Sequence, residues 1–163
     1  MSVMRWNAGA IDEAGMRALA VALADAARAG GVIHLEGDLG AGKTTFARAL
    51  LAALGVGERI KSPTYSLIES YRVGELDAHH LDLYRIADPG ELEWLGLADL
   101  WSEPALVLVE WPERAGRLLP NADLALDFEH APAGRRVALG AGSAAGRAVL
   151  DALRLPPGCT PTR

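Results

Sequence analysis

The feature that most constrains this chain is a complete phosphate-binding loop of the form G-x-x-x-x-G-K-[ST], which spans 37–44 with the sequence GDLGAGKT. In such a loop the glycines let backbone N–H groups curl around a phosphate, the lysine reaches the outer phosphates, and the hydroxyl binds Mg²⁺. The flanking pattern predicts a strand over 32–36 and a helix over 44–54, so that the positive end of the helix dipole points at the phosphates. We therefore expect Lys43 to bind the phosphates of a nucleotide and Thr44 to bind Mg²⁺.

Length and composition limit where such a site works. The chain of 163 residues predicts one domain, which we place at 1–155, followed by a disordered Pro-rich tail at 156–163. The sequence contains no apolar run long enough for a membrane span and no N-terminal signal peptide, and its single cysteine, Cys159, cannot form an internal disulfide. We therefore expect a cytoplasmic protein with no membrane partner. The net charge of -5 argues against a primary, non-specific nucleic-acid binder.

Hydrophobic periodicity predicts an α/β architecture around this loop. The continuous apolar run at 105–109 is typical of a parallel strand that is buried on both faces at the centre of a sheet. The other predicted elements are a short strand at 2–6, a helix at 11–28, hairpins at 66–84 and 122–140, a helix that starts at Asp88 with a capping box, and a last helix capped by Ser143.

Three polar residues outside the loop are candidates for the chemistry. Glu110 directly follows the apolar run, and ligands of open α/β sheets lie at the carboxyl ends of strands. There it would hold Mg²⁺ or orient an attacking water, the alternative being a solvated charge at a strand end. Asp82 lies between two leucines of a strand and faces either a site or solvent. Thr64 follows a proline in a loop and is either a turn residue or a sensor of the bound nucleotide.

Histidines and tryptophans are weaker candidates. His34 fits a core or edge residue better than a catalyst, and the neighbouring His79 and His80 lack cysteines at metal-ligand spacing, which argues against a zinc site. Strand alternation places His80 on the same face as Asp82. Trp111 follows the carboxylate at the end of the apolar run, so contact with a base or a partner protein stays open beside a role in the core.

Four motifs in this order resemble the TsaE family, also called YjeE, whose members are bacterial ATPases of tRNA threonylcarbamoyladenosine formation. The motifs are GDLGAGKTT at 37–45, KSPTY at 61–65, HLDLYR at 80–85 and LVEWP at 108–112. The resemblance covers about 5–153, although 133–136 and the Pro-rich tail show no usable correspondence.

The resemblance implies a three-layer α/β fold like that of other NTPases with this loop, with central parallel strands flanked by antiparallel strands and hairpins. It implies that ATP or ADP binds with Mg²⁺, that TsaD and TsaB are partners, and that hydrolysis supports turnover of their complex, with tRNA contacted indirectly. The implied catalytic residues are Lys43, Asp82 and Glu110, and the implied metal ligands are Thr44, Asp82 and Glu110. The implied nucleotide contacts are Asp38, Leu39, Gly40, Ala41, Gly42, Lys43, Thr44, Thr45 and Thr64.

Other enzyme classes use the same loop. The alternative function is a kinase for a small molecule or nucleotide, which would need an acceptor pocket and usually an Arg-bearing lid, and no segment clearly forms such a lid. A GTPase would need an Asn-Lys-x-Asp motif, which is absent from a chain whose lysines are Lys43 and Lys61. No internal arginine finger is evident, and Arg85 is a candidate only because it lies close to Asp82 in the sequence.

Overall fold

The computed structural model describes residues 5–57, 60–61, 63, 66–101, 104–153 and 160–162, and the described residues form one mixed sheet of eight strands. The strands are β1 Arg5–Ile11, β2 Gly31–Gly37, β3 Ile68–Val73, β4 Leu76–Asp82, β5 Ala105–Glu110, β6 Leu124–Ala131, β7 Gly134–Ala141 and β8 Thr160–Thr162. The α-helices are α1 Glu13–Ala27, α2 Lys43–Leu54, α3 Leu97–Leu100 and α4 Ala144–Ala152, and 3-10 helices span Pro89–Leu95 and Pro112–Ala115.

The sheet has a parallel centre and antiparallel sides. Its strand order is β3-β4-β5-β2-β6-β7-β1-β8. Strands β4, β5, β2 and β6 run parallel, while β3 pairs antiparallel with β4 on one side and β7, β1 and β8 continue antiparallel on the other. This arrangement confirms the predicted fold class, including both hairpins.

Strand β5 is buried on both faces, as its apolar run predicts. Leu106 and Leu108 belong to the larger core, which α1, α2 and α4 cover. Val107 and Val109 belong to a second core on the opposite face, which α3 and the 3-10 helices cover. The molecule therefore has three layers, and the end of β5 lies between two packed cores.

Helix α2 ends where the sequence predicts, whereas α1 is shorter than the predicted helix at 11–28, because Ile11 belongs to β1 and Asp12 caps the helix. Asp12 caps α1 by accepting a hydrogen bond from the backbone N–H of Gly15 at 2.8 Å. Gly55 ends α2 with a φ of 106°, in the left-handed range that favours glycine. Four residues on one face of α1 are buried in the core: Met16, Leu19, Leu23 and Ala27. Asp88 and Glu91 form the predicted capping box, although the helix they start is a 3-10 helix.

The two ends of the chain differ from the sequence predictions. The described part of the N-terminal strand runs over Arg5–Ile11 and so extends beyond the predicted end at Trp6, because β7 provides pairing partners as far as Ile11. The predicted positions 2–4 lie outside the described residues. Within the predicted tail, Thr160–Thr162 pairs with the free edge of β1, and 156–159 and 163 lie outside the described residues. A three-residue strand with a central proline gives almost no alternation signal, and proline is tolerated in an outermost strand. Within the described ranges, no helix has both the length and the apolar character that crossing a membrane requires.

Candidate functional site

The phosphate-binding loop connects β2 to α2 in a conformation that requires glycine. Gly37 and Gly42 have φ values of 136° and 113°, where side chains are strained. A side chain at Gly37 would also collide with the backbone carbonyl oxygen of Phe128 on β6. The buried residue Ala41 donates its N–H to the carbonyl oxygen of Asp38 at 3.1 Å, which closes the turn.

Lys43 begins α2, and its amine lies within the loop. Nζ donates hydrogen bonds to the carbonyl oxygens of Gly37 and Asp38, the latter at 2.8 Å, and lies 4.2 Å from the centre of the Trp111 ring. Burial lowers the pKa of the amine, and nearby carboxylates, Glu110 foremost, act in the opposite direction. The cation is thus held by neutral oxygens and an aromatic face, where an anionic ligand would be favoured.

The next residue, Thr44, connects the loop to the centre of the sheet. Its hydroxyl donates a hydrogen bond to Oε1 of Glu110 at 2.6 Å. The second oxygen of Glu110, Oε2, lies 2.7 Å from Nε2 of His80 on β4. Glu110 is only 2% exposed and His80 is fully buried. The carboxylate therefore reaches the loop from the end of β5 and is fixed by a different partner at each oxygen.

Asp82 ends β4 directly beside Glu110. The two residues are partners in the parallel β4–β5 register. Oδ1 of Asp82 accepts a hydrogen bond from the backbone N–H of Tyr84 at 3.1 Å. Burial raises the pKa of the Asp82 carboxyl, and the negative charge of Glu110 adds to the rise, against the lowering effects of the Tyr84 N–H, His80 and Lys43. Asp82 is therefore a better proton acceptor than an ordinary aspartate. It faces the site rather than solvent, which its position in the sequence did not decide.

An aromatic cluster borders the same end of the loop. Trp111 has a φ of 58°, a left-handed conformation that is rare for a tryptophan. Its ring lies 5.0 Å from that of Tyr84, and the guanidinium of Arg114 lies 5.8 Å and 5.9 Å from the two ring centres. The backbone turn at Trp111 aims the indole back over Lys43, which favours a role at the loop over one in the core.

The β6–β7 hairpin contacts the outer side of the loop. Nε2 of His130 lies 3.2 Å from the carbonyl oxygen of Leu39. Arg135 donates one hydrogen bond to the carbonyl oxygen of Gly40 at 3.1 Å and another to that of Gly134 at 3.0 Å. An arginine that is bound to neutral carbonyls brings a positive charge to the loop in addition to Lys43.

The loop, the ends of β4 and β5, the start of α1 and the start of β7 line a cleft of about 610 Å³, a volume typical of small-molecule sites. One end contains Lys43, Thr44, Asp82 and Glu110, and the other is formed by the start of α1 and the β6–β7 hairpin. The full lining is Ile11, Asp12, Glu13, Met16, Leu39, Gly40, Gly42, Lys43, Thr44, Thr45, Asp82, Tyr84, Arg85, Glu110, Trp111, Gly134 and Arg135.

The structure brings most of the predicted site residues together. Leu39, Gly40, Gly42 and Thr45 line the cleft with the three candidate catalytic residues, whereas Asp38 contributes a carbonyl to Lys43 and Ala41 is buried in the turn. Thr64 lies outside the described residues. Neither Arg135 nor the contact between His80 and Glu110 was predicted from the sequence. For His80 the shared face with Asp82 was a usable signal, whereas Arg135 lies where no family correspondence was found.

The donor set fits Mg²⁺ that is bound together with phosphates. Thr44 and Glu110 offer a hydroxyl and a carboxylate oxygen 2.6 Å apart, with a second carboxylate from Asp82 in the neighbouring strand. Among the described residues, no group of three or more His, Cys, Asp or Glu side chains could hold a metal ion by itself. Mg²⁺ prefers one or two protein oxygens that are completed by water and substrate phosphates, so these residues suit it better than they suit zinc.

Comparisons with known proteins agree on one family. The family model described as "Threonylcarbamoyl adenosine biosynthesis protein TsaE" matches residues 10–137. The chain is 39% identical over 121 residues to the tRNA threonylcarbamoyladenosine biosynthesis protein TsaE of Haemophilus influenzae, covering 74% of this chain and 77% of that protein. It is 37% identical over 131 residues to the TsaE protein of Bacillus subtilis, covering 80% of each.

A solved structure supports the same relationship. The crystal structure of YdiB from Bacillus subtilis superposes with a TM-score of 0.73 at 28% sequence identity, covering 92% of this chain and 93% of that one. The family match includes 133–136, the segment in which the sequence motifs show no usable correspondence. Arg135 therefore belongs to the part of the chain that the family shares.

Proposed function

Because this chain belongs to the TsaE family of tRNA threonylcarbamoyladenosine biosynthesis proteins, we propose that it binds and hydrolyses ATP with Mg²⁺ in that pathway. The observation that supports this most directly is the contact of Glu110 with Thr44, which joins a carboxylate at the end of a central strand to the phosphate-binding loop. A loop, a cation, a hydroxyl and two carboxylates at one end of a cleft are the parts that phosphoryl transfer requires.

The residues divide the work according to their surroundings. Lys43 and the loop would bind the β- and γ-phosphates and offset negative charge that develops on them. Thr44 and Glu110 would hold Mg²⁺, which when bound would neutralise charge on the phosphate oxygens. Both oxygens of Glu110 already have partners, so it is poorly placed to accept a further proton.

Asp82 is the better candidate to orient water. Its raised pKa suits a group that accepts a proton in the reaction, and it lies beside Glu110 in the cleft. In the hydrolysis of ATP, the water oxygen bonds to the γ-phosphorus. The bond from that phosphorus to the β–γ bridging oxygen breaks, and ADP leaves. The water proton passes to Asp82 and then to solvent or phosphate.

We propose that the ATPase acts through protein partners, TsaB and TsaD, in the cytoplasm. The family assignment supports a role in the same pathway, and the net charge of -5 supports tRNA contact through the partners rather than by this chain. Hydrolysis by the chain alone should be slow, because the amine of Lys43 and both oxygens of Glu110 are already bound to other groups of the protein.

The test is ATP hydrolysis, measured as phosphate release, with and without TsaB–TsaD and tRNA. We expect Mg²⁺-dependent binding of ATP by the chain alone, slow hydrolysis, and stimulation by the full mixture. Lys43→Ala should abolish the stimulated activity, while Arg48→Ala, on the exposed side of the same helix, should retain it. Brisk hydrolysis without partners would refute partner dependence, and ATP use that requires a small-molecule acceptor would indicate the kinase alternative.

A further inference from the structure

The interior of the sheet contains one histidine that faces the site without lining the cleft. His80 lies on β4, and its side chain is fully buried. The nearest positions of the same strand that are equally buried, Ala78 and Leu81, are apolar, as expected for a strand between two cores. A titratable ring at this position calls for a reason other than packing.

The contacts of His80 show what the ring does. Nε2 lies 2.7 Å from Oε2 of Glu110, whereas Oε1 of the same carboxylate accepts the hydroxyl of Thr44 at 2.6 Å. Two partners on opposite oxygens fix the rotation of the carboxylate. Without His80, Oε2 could turn toward the loop, and Glu110 could present either oxygen to Thr44.

The surroundings of Nδ1, the other ring nitrogen of His80, indicate which tautomer is present. Nδ1 of His80 is buried and has no hydrogen-bond partner in the structure. A neutral imidazole has one N–H and one lone pair, and a buried N–H without a partner is rarer in proteins than an unpaired acceptor. We therefore assign the hydrogen to Nε2, where it donates to the carboxylate, and the bare lone pair to Nδ1.

We propose that His80 is a positioning residue, which donates its Nε2–H to Oε2 of Glu110 and so directs Oε1 toward Thr44 and the phosphate end of the cleft. The proposal rests on the proposed ATPase function and deepens it, because it explains how a buried carboxylate is presented to Mg²⁺ in one orientation. Partners of this kind, which hold a metal-binding side chain without touching the metal, typically change affinity or activity by about 10- to 100-fold when removed.

The test compares His80→Gln with His80→Asn. The amide nitrogen of glutamine reaches about as far from the backbone as Nε2 of histidine, and that of asparagine only about as far as Nδ1. Only glutamine can therefore replace the hydrogen bond to Oε2. For each variant, ATP affinity is measured in MgCl₂ and in EDTA, hydrolysis is measured with TsaB–TsaD and tRNA, and folding of the free protein is measured by thermal unfolding.

We expect His80→Gln to stay within about threefold of the wild type, and His80→Asn and His80→Ala to lose about 10- to 100-fold in both hydrolysis and the Mg²⁺-dependent gain in affinity. Affinity in EDTA should change less than about twofold, because the loop and Lys43 are intact. His34→Ala is the matched control: it removes another histidine with an unpartnered ring nitrogen, on β2 and away from the cleft lining, and should leave the Mg²⁺-dependent gain unchanged.

Equal behaviour of the Gln and Asn variants would overturn the proposal, since a structural role does not depend on the reach of the amide. If the variants fail to fold, a crystal structure of the wild type with Mg²⁺ and a non-hydrolysable ATP analogue decides: a bond from His80 to Oε2 supports the proposal, and its absence refutes it. A wild-type protein that neither binds nor hydrolyses ATP would instead refute the proposed function itself.

Discussion

Oε1 of Glu110 accepts a hydrogen bond of 2.6 Å from the hydroxyl of Thr44, a residue 66 positions earlier in the chain. The contact joins the first turn of α2 to the last residue of β5. Because β2 and β5 are adjacent and parallel, their carboxyl ends meet at one edge of the sheet, and the loop after β2 lies next to Glu110. The order of the strands therefore brings this half of the site together.

Replacement of Glu110 by glutamine should impair hydrolysis far more than binding. The amide keeps the shape but cannot accept hydrogen bonds at both positions or hold a cation as a carboxylate does. We expect stimulated hydrolysis to fall by at least about 100-fold, with ATP affinity in EDTA changed by less than about threefold, as measured by phosphate release and by titration of a fluorescent ATP analogue. Equal losses of hydrolysis and of ATP affinity in EDTA would indicate that Glu110 maintains the shape of the loop rather than holding Mg²⁺.

Replacement of Asp82 by asparagine should distinguish the role of this carboxylate from that of Glu110. Asparagine can still accept the hydrogen bond from the Tyr84 N–H, so the turn after β4 should be kept. We expect hydrolysis to fall by about 100-fold while the Mg²⁺-dependent gain in ATP affinity stays within about threefold of the wild type. If Asp82→Asn instead loses that gain as strongly as Glu110→Gln, then Asp82 serves mainly as a metal ligand.

The sequence was sufficient for those parts of the site that depend on local pattern. The loop is a contiguous motif, and Glu110 could be placed because an apolar run of β-strand length ends at it. Asp82 could not be assigned from its spacing alone, because a strand position has two faces and only the pairing of β4 with β5 decides which one meets the site. The family resemblance supplied the role that spacing left open.

Arg135 shows why the rest could not be predicted. It lies 95 positions from Gly40, and the two meet only because β6 pairs with β2 and β7 returns beside it. Nothing in the residues around Arg135 encodes that long-range contact. The pairing of Thr160–Thr162 with β1 was missed for the same reason, since it depends on a free strand edge far away in the sequence.

Replacement of Arg135 by alanine should weaken ATP binding. The change removes the hydrogen bond to Gly40 and a positive charge from the cleft, and we expect about a 5- to 10-fold loss of affinity. Arg136→Ala is the matched control, because Arg136 follows on the same strand and lies 3.8 Å from Glu129 in an exposed ion pair. Fluorescence titration of both variants checks this, and equal affinities would show that Arg135 only supports the loop.

Acid should destabilise the protein in part through His34. Burial lowers the pKa of this histidine, against a hydrogen bond to the carbonyl of Pro120 and the charge of Glu113. Because the folded-state pKa lies below the unfolded one, the unfolded chain binds the proton first. The contribution of His34 to stability is therefore fully present above the ordinary histidine pKa of about 6.5. It is lost as pH falls through the folded-state pKa.

His34→Asn cannot take up that proton. Because all other titrating groups are the same in both proteins, we expect the melting temperature of the variant to fall less than that of the wild type between about pH 7.5 and about pH 5. The difference between the two falls should be on the order of 1–3 °C. Thermal unfolding followed by circular dichroism at the two pH values gives the comparison. If the melting temperatures of the wild type and the variant fall by the same amount, His34 is excluded as a source of acid sensitivity.

Replacement of Gly37 by alanine should destabilise the whole protein as well as the loop. Gly37 has a φ of 136°, and a Cβ there would collide with the carbonyl oxygen of Phe128, which is backbone of β6 and cannot move without disturbing the sheet. We expect the melting temperature to fall by at least about 6 °C, the equivalent of roughly 2–3 kcal/mol for a chain of this size.

Gly90→Ala is the control, because its φ is outside the left-handed range and the nearest atom to the added Cβ, Oδ1 of Asp88, is 3.4 Å away. That variant should melt within about 2 °C of the wild type. If the two variants melt alike, the loop adapts to a side chain at Gly37, and the requirement for glycine there comes from nucleotide binding rather than from the fold.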